Sequence, residues 1–298
     1  MKKTPAFAEL RARRLGAWRQ TAERRIVGPD EGAELIGALG LVTLYPVTPE
    51  APNLYHAYVG DPDRPTDSKW DSPSGQVYTW RWALGRREAA CYTVVARKRP
   101  TWIAWDLLPA ILRLLSDPRM PDELLHLGII SPEAHRVAQA LEEAGRPLST
   151  SELREAARFP VGKEQRAAYQ KALAELDARL LLARVFSPDA RAASDPAPAE
   201  GESSGEGEMT GMGHALFSVS YREHVDAAER MTREQALDQL LTRYLPGAIW
   251  VATKPLSRAL GLPQPELDAA LARFQERGQA QPLTLAEIRA PAWLWVGE

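Results

Sequence analysis

Residues 145–186 have a pattern of apolar and polar positions that is typical of a small helix-turn-helix unit. A serine or threonine can cap a helix over about 152–158, and the spacing of apolar residues predicts a second helix over about 163–178. Residues 181–186 then form an apolar run of strand length. This order is that of a winged helix, whose second helix can enter the major groove of DNA.

The same order of elements recurs near the C-terminus with little sequence identity. Apolar periodicity and the breaks at glycine and proline predict three helices and three short strands there. The helices are expected over 232–244, 254–260 and 263–277, and the strands over 248–252, 283–285 and 293–296. We therefore predict a second winged helix.

The N-terminal part has a different pattern, with helices predicted over 5–25 and 30–39. The run Gln76–Leu84 alternates, which places three aromatic residues on one face of a strand, and a second strand returns over 89–96. These strands predict a β-hairpin at 76–96. The strongly apolar run 102–115 is expected to be a buried helix.

Together these patterns predict a mainly α fold with small β wings, built from tandem winged-helix (helix-turn-helix) domains plus an added β-hairpin. We expect an N-terminal winged-helix-like unit at 1–119, a central winged helix at 120–222 and a C-terminal winged helix at 223–298. Residues 187–213 are rich in Pro, Gly, Ser and Glu and have no large aliphatic residue except methionine. They are expected to form a disordered acidic loop between the two wing strands of the central unit.

Composition narrows the class of protein. The chain of 298 residues is 45% apolar and 26% charged, as in a soluble globular protein, and has no apolar run of the ~20 residues that a membrane span needs. Its N-terminus lacks the apolar core of a signal peptide, so we expect a cytoplasmic protein. The single Cys91 excludes an intramolecular disulfide and a cysteine-based zinc site. The five histidines lack metal-ligand spacing, so neither a metal nor a cofactor is predicted.

Charge is unevenly distributed along the chain, although its formal net value is only −2. Residues 187–213 contain six acidic residues and one arginine, so the rest of the chain is close to +3. Clustered basic residues suit a polyanion such as double-stranded DNA. The alternative interpretation of each residue is that it lies on a solvated surface and binds nothing. The candidate phosphate-binding residues are Lys2, Lys3, Arg11, Arg13, Arg14, Lys69, Arg81, Arg97, Lys98, Arg99, Lys163, Arg166 and Lys171.

Four segments resemble the AlkZ/YcaQ class of bacterial DNA glycosylases, and the chain looks closest to its AlkZ-related branch. The segments are LRARRLGAWRQ, ELIGALGLVTL, TWIAWDLLPAILRLL and GRPLSTSELREAA. The resemblance implies tandem winged helices and a role in excising alkylated bases, including those of interstrand crosslinks. It therefore implies double-stranded DNA, alkylated or crosslinked, as the partner.

The chain departs from this family at the expected catalytic position. Family enzymes carry a Gln-hydrophobe-Gln or Gln-hydrophobe-Asp triplet just after the glycine that ends their second helix, where this sequence has Leu41-Val42-Thr43. Leucine cannot polarise water, and Thr43 offers only a weakly acidic hydroxyl. Asp71 and Asp106 each lie beside a tryptophan, and an aspartate there could hold a water next to a flipped base. Thr43, Asp71 and Asp106 are therefore the catalytic candidates.

Four functions remain open from the sequence. The first is a DNA-binding protein that recognises damaged DNA in repair without the usual catalytic triplet. The second is a DNA glycosylase with a different water-activating residue. The third is a protein-docking winged-helix module, and the fourth is a transcription regulator, although neither a dimerisation helix nor an effector domain is evident.

Overall fold

The computed structural model describes residues 6–160, 162–186, 211–288 and 291–297. It is mainly helical, with one five-stranded and one three-stranded antiparallel sheet. Lys2, Lys3 and nearly all of the predicted acidic loop lie outside the described residues. Within them, no helix combines the length and the apolar character that crossing a bilayer requires.

The first winged helix follows an N-terminal helix, α1, which spans Phe7–Ala17. Its elements are α2 (Pro29–Leu39), β1 (Leu41–Thr43), α3 (Leu54–Val59), α4 (Pro73–Arg86), β2 (Cys91–Val94) and β3 (Pro100–Ile103). Strand β3 lies between β1 and β2 and is antiparallel to both. Helix, strand, two helices and two wing strands, with the last strand in the middle, is winged-helix topology. The first unit is therefore a complete winged helix.

The β-hairpin predicted at 76–96 is wrong in its first half. Residues 76–86 lie in α4, whose start is fixed by Ser72, because its hydroxyl accepts hydrogen bonds from two backbone N–H groups, and by Pro73 in the first turn. The hairpin consists instead of β2 and β3 and is the wing of the first unit. The buried helix predicted over 102–115 likewise begins later, because the run starts as β3.

The central winged helix is reached through two short helices, α5 (Leu108–Leu115) and α6 (Pro121–His126). Its elements are α7 (Pro132–Ala144), α8 (Thr150–Ala156), α9 (Lys163–Asp177), β4 (Leu182–Phe186) and β5 (Met212–Leu216). Ser149 caps α8, and Glu152 completes a capping box. Leu148 pairs with His214 of β5, and β5 also pairs with β4. The predicted helices at 152–158 and 163–178 are confirmed within a few residues.

The first two winged helices share one sheet. Tyr92 of β2 pairs with Arg184 of β4, which gives the strand order β1-β3-β2-β4-β5. The boundary at 119/120 stays a prediction, since the sheet contains strands from both sides of it.

The C-terminal part begins with α10 (Phe217–Ser220) and α11 (Arg222–Arg230). The second wing strand of the central unit, β5, ends at Leu216, so α10 follows it directly. The third winged helix comprises α12 (Arg233–Ala248), β6 (Trp250–Ala252), α13 (Thr253–Leu260), α14 (Gln264–Glu276), β7 (Ala280–Leu283) and β8 (Ala292–Trp295). Its sheet has the order β6-β8-β7, again with the last strand in the middle.

Among the described residues the apolar core consists of three clusters, two of them large. The larger core joins the first and third winged helices, since α5 packs against α11 and α12, and α12 packs against α2. The central unit has its own core, which includes Leu153, Tyr169 and Leu173. Tyr169 is fully buried and packs edge-on against Phe159.

Candidate nucleic-acid interface

Each winged helix has one helix in the position that usually contacts the DNA groove, namely α4, α9 and α14. Helix α4 is not available for this contact. Trp80, Arg81, Trp82 and Leu84 are all buried, and its Gly85 lies so close to Phe186 of β4 that an added Cβ would be nearer than 3.0 Å to the ring. The central unit therefore covers the first unit's helix.

The third unit's helix, α14, has its cations neutralised. Arg273 donates a hydrogen bond of 2.6 Å to Asp238 and lies 3.2 Å from Glu234, while Arg277 lies 2.8 Å from Asp238. The hydrogen bonds from these two arginines contribute to a lowered pKa at Asp238, which stays ionised. Helix α14 therefore has little positive charge left for phosphate.

Helix α9 differs from the other two. Its buried face rests on the central core, and Lys163, Arg166 and Lys171 are exposed. Within the described part of the chain, none of these three side chains forms an ion pair or a side-chain hydrogen bond. Their predicted placement on the surface is confirmed, whereas DNA binding by them stays a prediction.

The arginines of the basic N-terminal helix differ in exposure, since some lie on the surface and one lies in the core. Arg13 is exposed, and Arg11 is half-exposed and 3.5 Å from Asp63. The predicted DNA contact by Arg14 is wrong, because only 6% of this residue is exposed. Its guanidinium donates 2.7 Å to the carbonyl of Ala248 and also hydrogen-bonds the carbonyl of Trp250.

Arg81 is a second arginine that the sequence places wrongly. It is buried in α4, and its guanidinium lies 3.5 Å from the ring centroid of Tyr78 and 4.7 Å from that of Trp82. The guanidinium also hydrogen-bonds Tyr92. It is a packing residue, and it cannot reach a phosphate. For Arg81 the alternative of a solvated surface is wrong for the same reason.

The remaining predicted cations are exposed. Lys69 lies in the loop before α4, where its backbone N–H donates 2.9 Å to Asp67. Arg97, Lys98 and Arg99 lie at the turn between β2 and β3, which we call the basic wing tip. The sequence predicts the strand before this tip, over 89–96, but not the strand after it, because the run from Trp102 is expected to be a helix and instead begins within β3.

The catalytic candidates fall in three different environments. Thr43 is fully buried in β1, and its hydroxyl donates 2.8 Å to the carbonyl of Tyr45. Leu41 and Val42 are buried as well, so the place of the family triplet has no exposed polar atom. Thr43 therefore cannot activate a water for a DNA base.

The two aspartates are exposed. Asp106 lies 3.4 Å from Arg243, and its neighbour Trp105 stacks on His224 with ring centroids 5.5 Å apart. Asp71 lies in the loop before α4. Among the described residues, no hydrogen bond or ion pair joins Asp71 to Asp106. They remain separate candidates and do not form a carboxylate pair.

The described residues contain no group of three His, Cys, Asp or Glu side chains that could hold a metal ion. Burial lowers the pKa of His214 to about 3, so this histidine is neutral at physiological pH, and burial raises the pKa of the Cys91 thiol. Both residues pack in the interior, which accounts for them without a ligand role.

The described residues form three winged helices, and sequence comparison identifies the family. The model of the AlkZ-related family matches residues 26–261, so this chain belongs to that family. The structure of the DNA glycosylase AlkZ from Streptomyces sahachiroi is similar, with a TM-score of 0.55 and 14% sequence identity over 99% of this chain and 71% of that one. No curated protein sequence matches significantly.

Proposed function

We propose that this protein is a cytoplasmic DNA-binding protein that recognises damaged DNA, alkylated or crosslinked, in repair. The observation that carries the proposal is the exposed cationic surface of α9, formed by Lys163, Arg166 and Lys171, within a winged helix. Membership of the AlkZ-related family supports a glycosylase-like fold that acts on DNA. The name of the similar structure, a DNA glycosylase, supports DNA as the ligand.

Helix α9 is suited to the task because its position is fixed by packing. Tyr169 and Leu173 hold the helix on the central core, so the backbone that carries the exposed cations is already ordered before it meets phosphate. Glu164 is the one acidic residue on the exposed first turn. Each lysine or arginine that neutralises a phosphate releases counterions, so DNA affinity should fall steeply with salt.

Charge removal on α9 is expected to weaken DNA binding. In the double variant Arg166→Gln/Lys171→Gln, the affinity for a duplex should fall roughly tenfold or more per lost phosphate contact at low salt. The slope of log affinity against log salt should become shallower by about 2, since each contact contributes roughly 0.9. Fluorescence anisotropy with a labelled duplex at several salt concentrations measures both quantities.

Glu164→Gln is the matched control on the same helix, since it removes charge of the opposite sign. Its affinity should be unchanged or higher. If the double variant and this control both bind as the unchanged protein does, α9 is not the DNA-contacting helix.

We further propose that binding occurs without base release by the usual triplet, because Leu41, Val42 and Thr43 are buried. An active glycosylase is the second candidate, and the exposed position of Asp106 beside the half-exposed Trp105 favours it. An aspartate in such a place could hold water near an unstacked base.

A base-release assay separates these two candidates. With methylated duplex DNA at a concentration that saturates binding, we expect no abasic sites above the protein-free background. Release that is abolished by Asp106→Asn or Asp71→Asn would instead make the protein an enzyme and identify its carboxylate. Glu88→Gln, at an exposed glutamate that is not a catalytic candidate, is the control and should retain release. Heat or alkali cleavage of an end-labelled strand measures the abasic sites.

A further inference from the structure

The basic wing tip has an unusual backbone. Arg97 has φ 47° and ψ 35°, and Lys98 has φ 58°, so two consecutive non-glycine residues adopt the left-handed conformation. This conformation is costly for residues with a Cβ and is normally occupied by Gly, Asn or Asp. Because arginine and lysine are unfavourable in this conformation, their presence here points to a role for their side chains.

Hydrogen bonds hold the tip in this shape. The N–H of Lys98 donates 3.0 Å to the carbonyl of Val95, and that of Arg99 donates 2.9 Å to the carbonyl of Ala96. The buried Thr101 hydroxyl accepts from Ala96 and donates 2.8 Å to the carbonyl of Arg99. The backbone is thus fixed, while the three cationic side chains are exposed. In the described residues, none of these side chains has an ion-pair partner.

A second source of positive charge lies against this tip. Helix α13 of the third winged helix packs on the turn at Ala96–Lys98. Lys254 and Arg258 are exposed on α13, and their spacing of four residues places them on one face of the helix. Neither α13 nor residues 95–101 contain an aspartate or glutamate. The wing of the first unit and a helix of the third thus contribute five cations from adjacent elements.

We propose that the basic wing tip and α13 form one composite cationic surface that binds the phosphate backbone of duplex DNA across the first and third winged helices. This inference rests on the proposed function and adds Lys254 and Arg258 to the interface. Duplex DNA fits better than a single anion, because its charges recur every ~1.7 Å along the axis and can meet cations on two units at once.

The left-handed backbone makes Lys98→Gly an informative variant. Glycine is unstrained at φ 58°, so the melting temperature should not fall, although the charge is lost. The affinity for a labelled duplex should drop roughly tenfold at low salt, with a salt slope shallower by about 1. A lysine with only a structural role would give the opposite result, namely a lower melting temperature and unchanged DNA affinity.

Lys254→Gln/Arg258→Gln tests the contribution of α13. The same anisotropy titration should show a salt slope shallower by about 2. Arg230→Gln, at an exposed arginine that ends α11, is the matched control and should bind as the unchanged protein does. The composite surface is wrong if both Lys98→Gly and the α13 variant keep full affinity, or if polyglutamate displaces the duplex at equal charge concentration.

The α9 variant Arg166→Gln/Lys171→Gln, titrated in parallel, separates the two proposals. If it weakens binding while the Lys98 and α13 variants do not, the protein still binds DNA and only the composite surface is refuted. If the unchanged protein binds no duplex at low salt, the proposed function itself fails.

Discussion

Replacing Arg14 by methionine is expected to lower the free energy of unfolding by about 3–5 kcal/mol, the range for removing one partner of a buried ion pair. The guanidinium lies 3.8 Å from the carboxylate of Glu50, and both side chains are less than one-tenth exposed. It also lies 3.9 Å from the ring centroid of Trp250. Methionine can fill part of this space, but it leaves Glu50 buried without a counter-charge and frees two backbone carbonyls.

Urea unfolding followed by tryptophan fluorescence measures this loss, and Arg13→Met is the control. Arg13 is exposed on the same helix, so its replacement should change stability by less than about 0.5 kcal/mol. Equal stability of the two variants would contradict the structural role of Arg14.

The loss should also depend on pH through Glu50. Burial raises the pKa of Glu50, and Arg14 partly opposes this rise. Without Arg14 the pKa rises further, so the destabilisation is largest above the pKa of the folded protein, where the carboxylate must be charged. It should shrink as the pH falls towards the pKa of the unfolded chain, and Glu50→Gln in the Arg14→Met background should recover part of the stability.

Burial of Arg14 also affects how the surface charge must be tested. A combined reversal of Arg11, Arg13 and Arg14 would remove a core contact together with two surface charges. If that variant lost DNA binding, the loss could result either from unfolding or from the missing phosphate contacts. Separate variants of Arg11 and Arg13 avoid this difficulty.

The sequence predicts the central and third winged helices well because their helices have clear local signals. Ser149 and Thr232 each begin a capping box, and the apolar residues behind them recur at helical spacing. Helix α4 was missed because it is buried on several sides and has no continuous polar face. Its aromatic residues alternate as they would in a strand, although Ser72 and Pro73 are a typical start of a helix.

The candidate site was predicted in part, and the failures have one physical cause. Exposure of the cations on α9 could be expected, because the apolar residues of this helix recur at helical spacing and leave the charged residues to the surface. Whether Arg14 or Arg81 is buried depends on partners such as Trp250 and Tyr92, which tertiary folding brings together. The neighbourhood of Lys254 and the basic wing tip likewise depends on packing between distant parts of the chain, which local patterns do not contain.

The contact between Gly85 and Phe186 gives the second large expected effect. Gly85→Ala should lower the free energy of unfolding by about 2–3 kcal/mol, the upper part of the range for overpacking a core. The Phe186 ring stacks on Trp102 with centroids 6.3 Å apart and lies 5.9 Å from Tyr92, so it has little room to move away. Gly37→Ala is the matched control, since an added Cβ there meets nothing within 4 Å. It should be neutral or up to about 1 kcal/mol stabilising.

A double-mutant cycle assigns the cost of Gly85→Ala to this one contact. Phe186→Leu alone should destabilise by the loss of buried ring surface, but in its presence Gly85→Ala should cost less than in the unchanged protein. The same contact explains why α4 cannot bind in a DNA groove, because the ring of Phe186 packs β4 against this helix. If Gly85→Ala were as stable as Gly37→Ala, the contact between β4 and α4 would be weak. Packing of β4 would then no longer keep α4 from DNA, and α9 would lose part of its advantage as the DNA-contacting helix.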